Sequence, residues 1–459
     1  MSDVVLFGLP RRAWRWTVAA GLVIGWVYAM SPLTIWLTVA MTGVLWWARR
    51  GLGDDERRSV AAVLMMAILL RVLAVAALFV FTDHPRVPFG SFFGDEEYFI
   101  KRSIWLRNVA LGIPVHGADL IYAFDEYSAT SYLYVLAFVQ ALVGPSPYGV
   151  HLLGIAFYVT GAVLLFRIVR LSFGGMPAIG GLVLLLFLPS LFAWSISALK
   201  EPVFFLLTAS SVMLAVRLVR GPNVAKRLAA VGGFAVIAAP LVTVRQGGAV
   251  IVFTGLALGC AIAFFAPRPR FLLPAIAAAP LLLGALLSRP SVQLQAYSAV
   301  QTAARQHWGH VATPGYVYRL LDDRFYPDKS EISDMQFLES GRFVVRAFVK
   351  YVTVPLPWEI QSRSALVYLP EQVAWYLLVG LFPIGFVYSL RRDPLVAGLL
   401  FGHAIVAAAT VALTSGNVGT LVRHRGLALP YVVWLSAVGA CELLRGARRL
   451  PDESEIRTD

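Results

Sequence analysis

Charge is scarce in this sequence. Only 14% of its 459 residues are Asp, Glu, Lys or Arg, against about 25% in a soluble domain. Acids are the rarer sign, 26 against 39 basic residues. Cysteine is nearly missing. Cys260 and Cys441 both lie inside apolar runs, far apart, which argues against a disulfide framework, and no Cys-x-x-Cys spacing occurs. Walker, Gly-x-Ser-x-Gly and dinucleotide-binding patterns are absent. No clean internal repeat recurs, which argues against transporter folds built from repeats. What is abundant is apolar sequence, 58% of the chain. Its long runs suffice to cross a hydrocarbon core about 30 Å thick. With no water there to satisfy backbone groups, such runs must be helices. The fold class is therefore all-α, a polytopic membrane protein, read as one integral membrane domain over 1–459.

The net charge of +13 is not a nucleic-acid signal. Much of it sits in short clusters between apolar runs, where the bias of Lys and Arg toward cytoplasmic loops explains it. Arg11, Arg12 and Arg15 put the N-terminus inside, before an uncleaved first helix at 14–30. A second run returns by residue 48, and a third, 59–82, goes out. Residues 83–147 form a first outer loop with two interfacial segments, 95–111 and 131–144. The following runs, 148–171, 174–199, 201–220, 228–244, 247–266 and 271–288, alternate in direction. A second outer loop spans 289–365, and the runs 366–390, 394–414 and 426–443 complete about twelve spans with both termini cytoplasmic.

Against this topology some charges are misplaced. Three short outer turns keep basic residues: Lys200 in "SALKEPVF", Arg245 in "TVRQGG", and Arg423 with Arg425, flanking His424, in "GNVGTLVRHRG". A bound anion is one reason to keep them, since the planar guanidinium fork suits phosphate. Headgroup contact or snorkelling at helix ends is the other. Glu201 beside Lys200 fits the positive start of the next helix and also faces the outer side. "GNVGT" reads as a small-residue turn that lets backbone N–H groups approach a ligand.

The first outer loop carries "FFGDEEYF", with Asp95, Glu96 and Glu97 adjacent. Asp95 fits a helix N-cap, with Glu96 and Glu97 as helix-dipole partners. It equally fits a base that takes a proton from an acceptor hydroxyl. Asp95 and Glu96 could also hold a hard cation such as Mg²⁺ or Mn²⁺, with too few oxygens for a closed site. Glu97 pairs with Lys101 at i, i+4. His307 and His310 have zinc-compatible spacing but no third ligand, and read as surface residues. Arg71 and His403 sit mid-helix, facing a partner or cavity. Asp322 and Asp323 read as solvated loop charges. In "MQFLESGRFVVRAFVKYV", 335–352, Glu339, Arg342, Arg346 and Lys350 form one stripe, with apolar residues opposite. This predicts an amphipathic helix, either on a membrane surface or packed on a loop domain.

Three of these stretches carry a resemblance. "GDEEYF", "FLPSLFAWSISALKEPVFFLL" (187–207) and "GNVGTLVRHRGLALPYVVWLSAVG" (416–439) resemble segments of the GT-C superfamily of integral membrane glycosyltransferases. The likeness is to bacterial members related to protein mannosyltransferases and aminoarabinose transferases. It implies a GT-C-like fold, with interfacial helices in two long outer loops. It also implies inverting transfer of a sugar from a polyprenyl-phosphate donor to a hydroxyl of a glycan, lipid or protein. The site would lie on the extracytoplasmic face of the plasma membrane, among membrane lipids. Asp95 or Glu96 would be the catalytic carboxylate. Arg423, Arg425, Arg245 and Lys200, with Glu201 and His424 beside them, would hold the phosphate. The second strong acidic motif of some members is missing. "PS…WS…KE" and "R-x-R" also occur in O-antigen-type polysaccharide polymerases and ligases, which work without metal. A lipid-linked-sugar flippase or other transporter is a further reading, disfavoured by the paucity of charge within the helices.

Overall fold

The computed structural model describes residues 5–6, 9–82, 94–126, 129–146, 148–312, 320–321, 329–359 and 368–447. Asp322, Asp323, the start of the acidic motif before Gly94 and the charged tail lie outside them. The described residues are helical or in turns, apart from a two-residue antiparallel pairing of Val5–Leu6 with Leu9–Pro10. Among the described residues seven helices are long and apolar enough to cross a membrane. They are Asp54–Phe81, Gly149–Phe173, Glu201–Arg220, Val224–Val244, Gly248–Phe265, Leu369–Arg392 and Pro394–Thr414. Two bent pairs raise the number to nine if each is one span. The chain is thus a multi-pass membrane protein.

The remaining segments read as spans are also helical, at Arg11–Met30, Leu33–Arg49 and Pro269–Leu287. The run 174–199, expected as one helix, is instead broken. Gly175–Phe187 and Pro189–Ser195 meet at 67°. Pro189 has no N–H to give and its ring collides with the preceding turn, so the helix bends there. The expected "GNVGT" turn is also corrected. It starts a short helix, Val418–Arg425, because Asn417 caps it by accepting the Thr420 N–H at 2.7 Å. That helix bends 64° into Leu429–Ala447.

By contacts the chain forms two compact units. The first comprises residues 1–163, 192–207 and 240–246. Its core gathers Phe99, Ile100, Leu106, Tyr132, Leu136 and Trp194. Here the acidic helix Gly94–Ala110 packs along Ser131–Val143. That second helix has only 13 residues, about 20 Å of rise, too short for a crossing. Polar ties fix the pair. Arg107 donates to the Gln140 carbonyl at 2.9 Å, and Gln140 donates to Ser103 Oγ at 2.8 Å. Arg71, fully buried in Asp54–Phe81, donates to Ser195 Oγ at 2.6 Å and to the Ala67 carbonyl at 3.1 Å. Its guanidinium lies 4.7 Å from the Phe192 ring centre. The mid-helix arginine therefore has its partner.

The second unit comprises residues 164–191, 208–239 and 247–459. Gly248–Phe265 and Pro394–Thr414 are packed backbone to backbone. A methyl group on Gly259 would lie 2.7 Å from Leu399 Cα and 2.8 Å from the Gly398 carbonyl oxygen. Gly255 and Gly259 face Gly398, Gly402 and His403, a small-residue contact of the kind that joins membrane helices. Cys260 and Cys441 are free thiols.

Candidate functional site

In the first unit, the acidic motif starts a helix, as its three first-turn carboxylates favour. The three acids then diverge. Glu97 pairs with Lys101, as the i, i+4 spacing predicts. Asp95 is exposed. Glu96 is fully buried. A buried carboxylate needs hydrogen-bond or charge partners. Its Oε1 accepts the Ala198 backbone N–H at 3.0 Å, and its Oε2 lies 3.6 Å from His151 Nε2. His151 is also fully buried, with Nδ1 3.2 Å from the Tyr148 carbonyl. Glu96 thus ties the acidic helix to the "SALKEP" turn.

That turn carries Lys200 and Glu201. Lys200 Nζ stands 6.0 Å from the Phe99 ring centre, on the acidic helix. Glu201 Oε1 is 3.5 Å from Arg245 Nη1, and both side chains are largely buried. Arg245 also lies over Phe204, at 5.8 Å. The Arg245 turn is fixed in turn, since Thr130 Oγ1 donates to the Val244 carbonyl at 2.7 Å. Tyr132, two residues after Thr130, is fully buried. Burial, then the Glu201 and Glu96 carboxylates, push its phenol up, so it stays neutral.

Asp95, Glu96, Lys200, Glu201 and Arg245 are therefore brought together in one unit. Asp95 alone of the adjacent pair offers an exposed carboxylate, while Glu96 is spent on Ala198 and His151. One exposed carboxylate is too few for a closed oxygen site. Among the described residues no three His, Cys, Asp or Glu side chains come together as metal ligands.

Arg423, His424 and Arg425 belong to the second unit. Arg425 is buried, with its guanidinium occupied by protein groups. It donates to the Tyr351 and Val354 carbonyls and, at 2.8 Å, to Gln372 Oε1. It also lies over Trp375 at 4.9 Å. Its role here is to hold backbone. Arg423 is half-buried and close enough to His310 to disfavour its protonation. His424 Nδ1 is 3.5 Å from Ser415 Oγ.

His307 and His310 are corrected from surface residues to joint residues. His307 is fully buried against Phe343, and His310 bonds the Thr414 carbonyl at 2.8 Å. Burial, then His310, lowers the His307 pKa to about 3. Burial lowers His310 too, reinforced by Arg423 and opposed by the Thr414 bond.

Two residues of the first-unit cluster escape the sequence reading, His151 and Tyr132. A signal for His151 exists, since an ionisable residue one turn into an apolar helix is costly without a partner. Tyr132 has none, since an aromatic in an apolar stretch reads as core. Comparison with protein-family models, curated proteins and solved structures yields no match to this chain.

Proposed function

We propose that the chain is a GT-C-like membrane glycosyltransferase of about twelve spans. It uses a polyprenyl-phosphate-linked sugar and works at the extracytoplasmic face of a plasma membrane, with both termini cytoplasmic. One observation carries the reading. Glu96 of the acidic motif is bonded to the Lys-Glu-Pro turn at Ala198, and that turn is paired through Glu201 to Arg245. The acidic motif and two of the three turns with misplaced charge thereby meet.

In this reading Asp95 is the base and Glu96 positions it. The acceptor hydroxyl oxygen attacks the anomeric carbon as the bond from that carbon to the phosphate oxygen breaks. The hydroxyl proton passes to Asp95. Polyprenyl phosphate leaves as an anion, its charge balanced by Lys200 and Arg245. Phosphate so neutralised needs no separate acid. A single displacement inverts the anomeric configuration. Arg423 and His424 remain candidate anion ligands of the second unit.

The test is sugar transfer from a polyprenyl-phosphate donor by the purified full chain. Asp95→Asn should lose at least about a hundredfold in rate, the scale of a general base, with unchanged folding. Near-normal transfer by that variant would end the proposal. If Arg423→Ala alone were inactive, a metal-independent polysaccharide polymerase or ligase would fit better.

A further inference from the structure

The helix Phe337–Thr353 carries more than the two faces its sequence suggests. Ser340, Phe343, Ala347 and Tyr351 are buried against the helices Pro290–Ala312, Leu369–Arg392 and Pro394–Thr414. That face completes its packing. Arg342, Arg346 and Lys350 recur every four residues as a second, basic face. Glu339 is drawn off to the helix start, where it closes a capping box with Gln336. A third face is apolar and still open. Phe337, Leu338, Val345 and Val349 are each more than half exposed. A helix packed on a loop domain has no use for that face.

The position of the helix says what covers it. Its last carbonyls are held by the first turns of the membrane-crossing helix Leu369–Arg392. Trp375 Nε1 donates to the Val352 carbonyl at 2.9 Å, and Tyr376 Oη to the Thr353 carbonyl at 2.6 Å. Gln372 Nε2 reaches the Thr353 carbonyl at 3.3 Å. At 1.5 Å per residue these donors lie about 5–10 Å along that helix from Leu369. Interfacial helices sit at about that depth below the headgroups. Trp and Tyr are also the side chains that favour this level.

We infer that Phe337–Thr353 lies in the membrane surface at the Leu369 end of that span. Phe337, Leu338, Val345 and Val349 enter the acyl chains, and Arg342, Arg346 and Lys350 rest on anionic phospholipid headgroups. This stands apart from the transferase reading, because it needs neither Asp95 nor Arg245.

The experiment uses the full chain in nanodiscs of phosphatidylcholine, with or without phosphatidylglycerol. Spin labels are placed singly at positions 342, 345 and 349, with Cys260 and Cys441 replaced by Ser. Labels at 345 and 349 should favour oxygen over a water-soluble nickel relaxant, and the label at 342 should do the reverse. Retention of phosphatidylglycerol through detergent exchange, read by native mass spectrometry, should fall about fivefold for each of Arg342→Gln and Lys350→Gln. The matching Arg342→Lys variant should keep it. Three outcomes overturn the inference. Labels at 345 and 349 could be open to the nickel reagent, or shielded from both relaxants by a second copy or another part of the chain. Lipid retention could also be indifferent to both Gln changes.

Discussion

The buried carboxylate of Glu96 accepts the backbone N–H of Ala198 at 3.0 Å, so the two neighbouring acids of the motif have separable duties. Glu96→Ala leaves a buried N–H unmet, which costs about 1–3 kcal/mol. It should lower the thermal midpoint in detergent, while Glu96→Gln, which keeps an acceptor oxygen, should lower it less. Asp95→Asn should remove transfer activity while lowering the midpoint less than Glu96→Ala does. Circular-dichroism melts beside donor turnover separate the two. A large melting loss in Asp95→Asn would contradict this division.

Arg425 supports a different part of the molecule. Its guanidinium serves two carbonyls at the end of Phe337–Thr353 and one side-chain oxygen of Gln372. Arg425→Ala should therefore destabilise the protein by about 1–3 kcal/mol per stranded acceptor group. Arg425→Lys should rescue only in part, since an ammonium cannot span the same fork. If Arg425 bound donor phosphate instead, both variants would melt normally and raise KM for the donor.

These two arginine and acid roles show where sequence reading stops. Helices were legible because apolar runs in a membrane have one backbone solution, and Glu97 with Lys101 was legible because spacing alone sets that pair. The convergence of the acidic motif on the Lys-Glu-Pro turn was not, since it joins residues about a hundred positions apart through a backbone N–H, a group every residue carries. The partners of Arg425 were hidden for a related reason. Its charge is visible in sequence, but the carbonyls that satisfy it are not. The break at Leu188 could have been read from Pro189. The paired Gly-x-x-x-Gly spacings at 255–259 and 398–402 were equally readable and mark a helix contact.

The joint histidines give a pH dependence of stability. His307 and His310 both have folded pKa values below the ordinary histidine value, His307 at about 3. Between that value and about 6.5 the unfolded chain binds more protons than the folded one. Stability is then full above that window and falls as pH drops through it. Asp393 adds a later loss. Burial raises its pKa, but bonds from Arg220, Ser172 and the Val396 N–H outweigh this and hold it low. Its contribution is present above the ordinary Asp value and lost as pH falls below it. Melts between pH 8 and pH 4, about the range above the Asp value, therefore report mainly the histidines. The midpoint should be flat above pH 7 and decline below it, and His307→Leu should flatten the decline. An unchanged slope in that variant would assign the titration elsewhere.

Gly259 tests the helix contact directly. The nearest atoms to an added methyl group are backbone atoms of the facing helix, Leu399 Cα at 2.7 Å and the Gly398 carbonyl oxygen at 2.8 Å. Neither can swing away as a side chain would, so the helices must part. Overpacking of this sort costs about 1–3 kcal/mol. Gly259→Ala should therefore lower the thermal midpoint, and Gly259→Leu should lower it further. The matched control is Gly284→Ala. That glycine is also within a helix, but nothing lies within 4 Å of the added carbon. With no clash, replacing glycine by alanine in a helix gains up to about 1 kcal/mol. The two alanine variants should thus move the midpoint in opposite directions. Movement in the same direction would mean that helix propensity, rather than backbone contact, sets the value of Gly259.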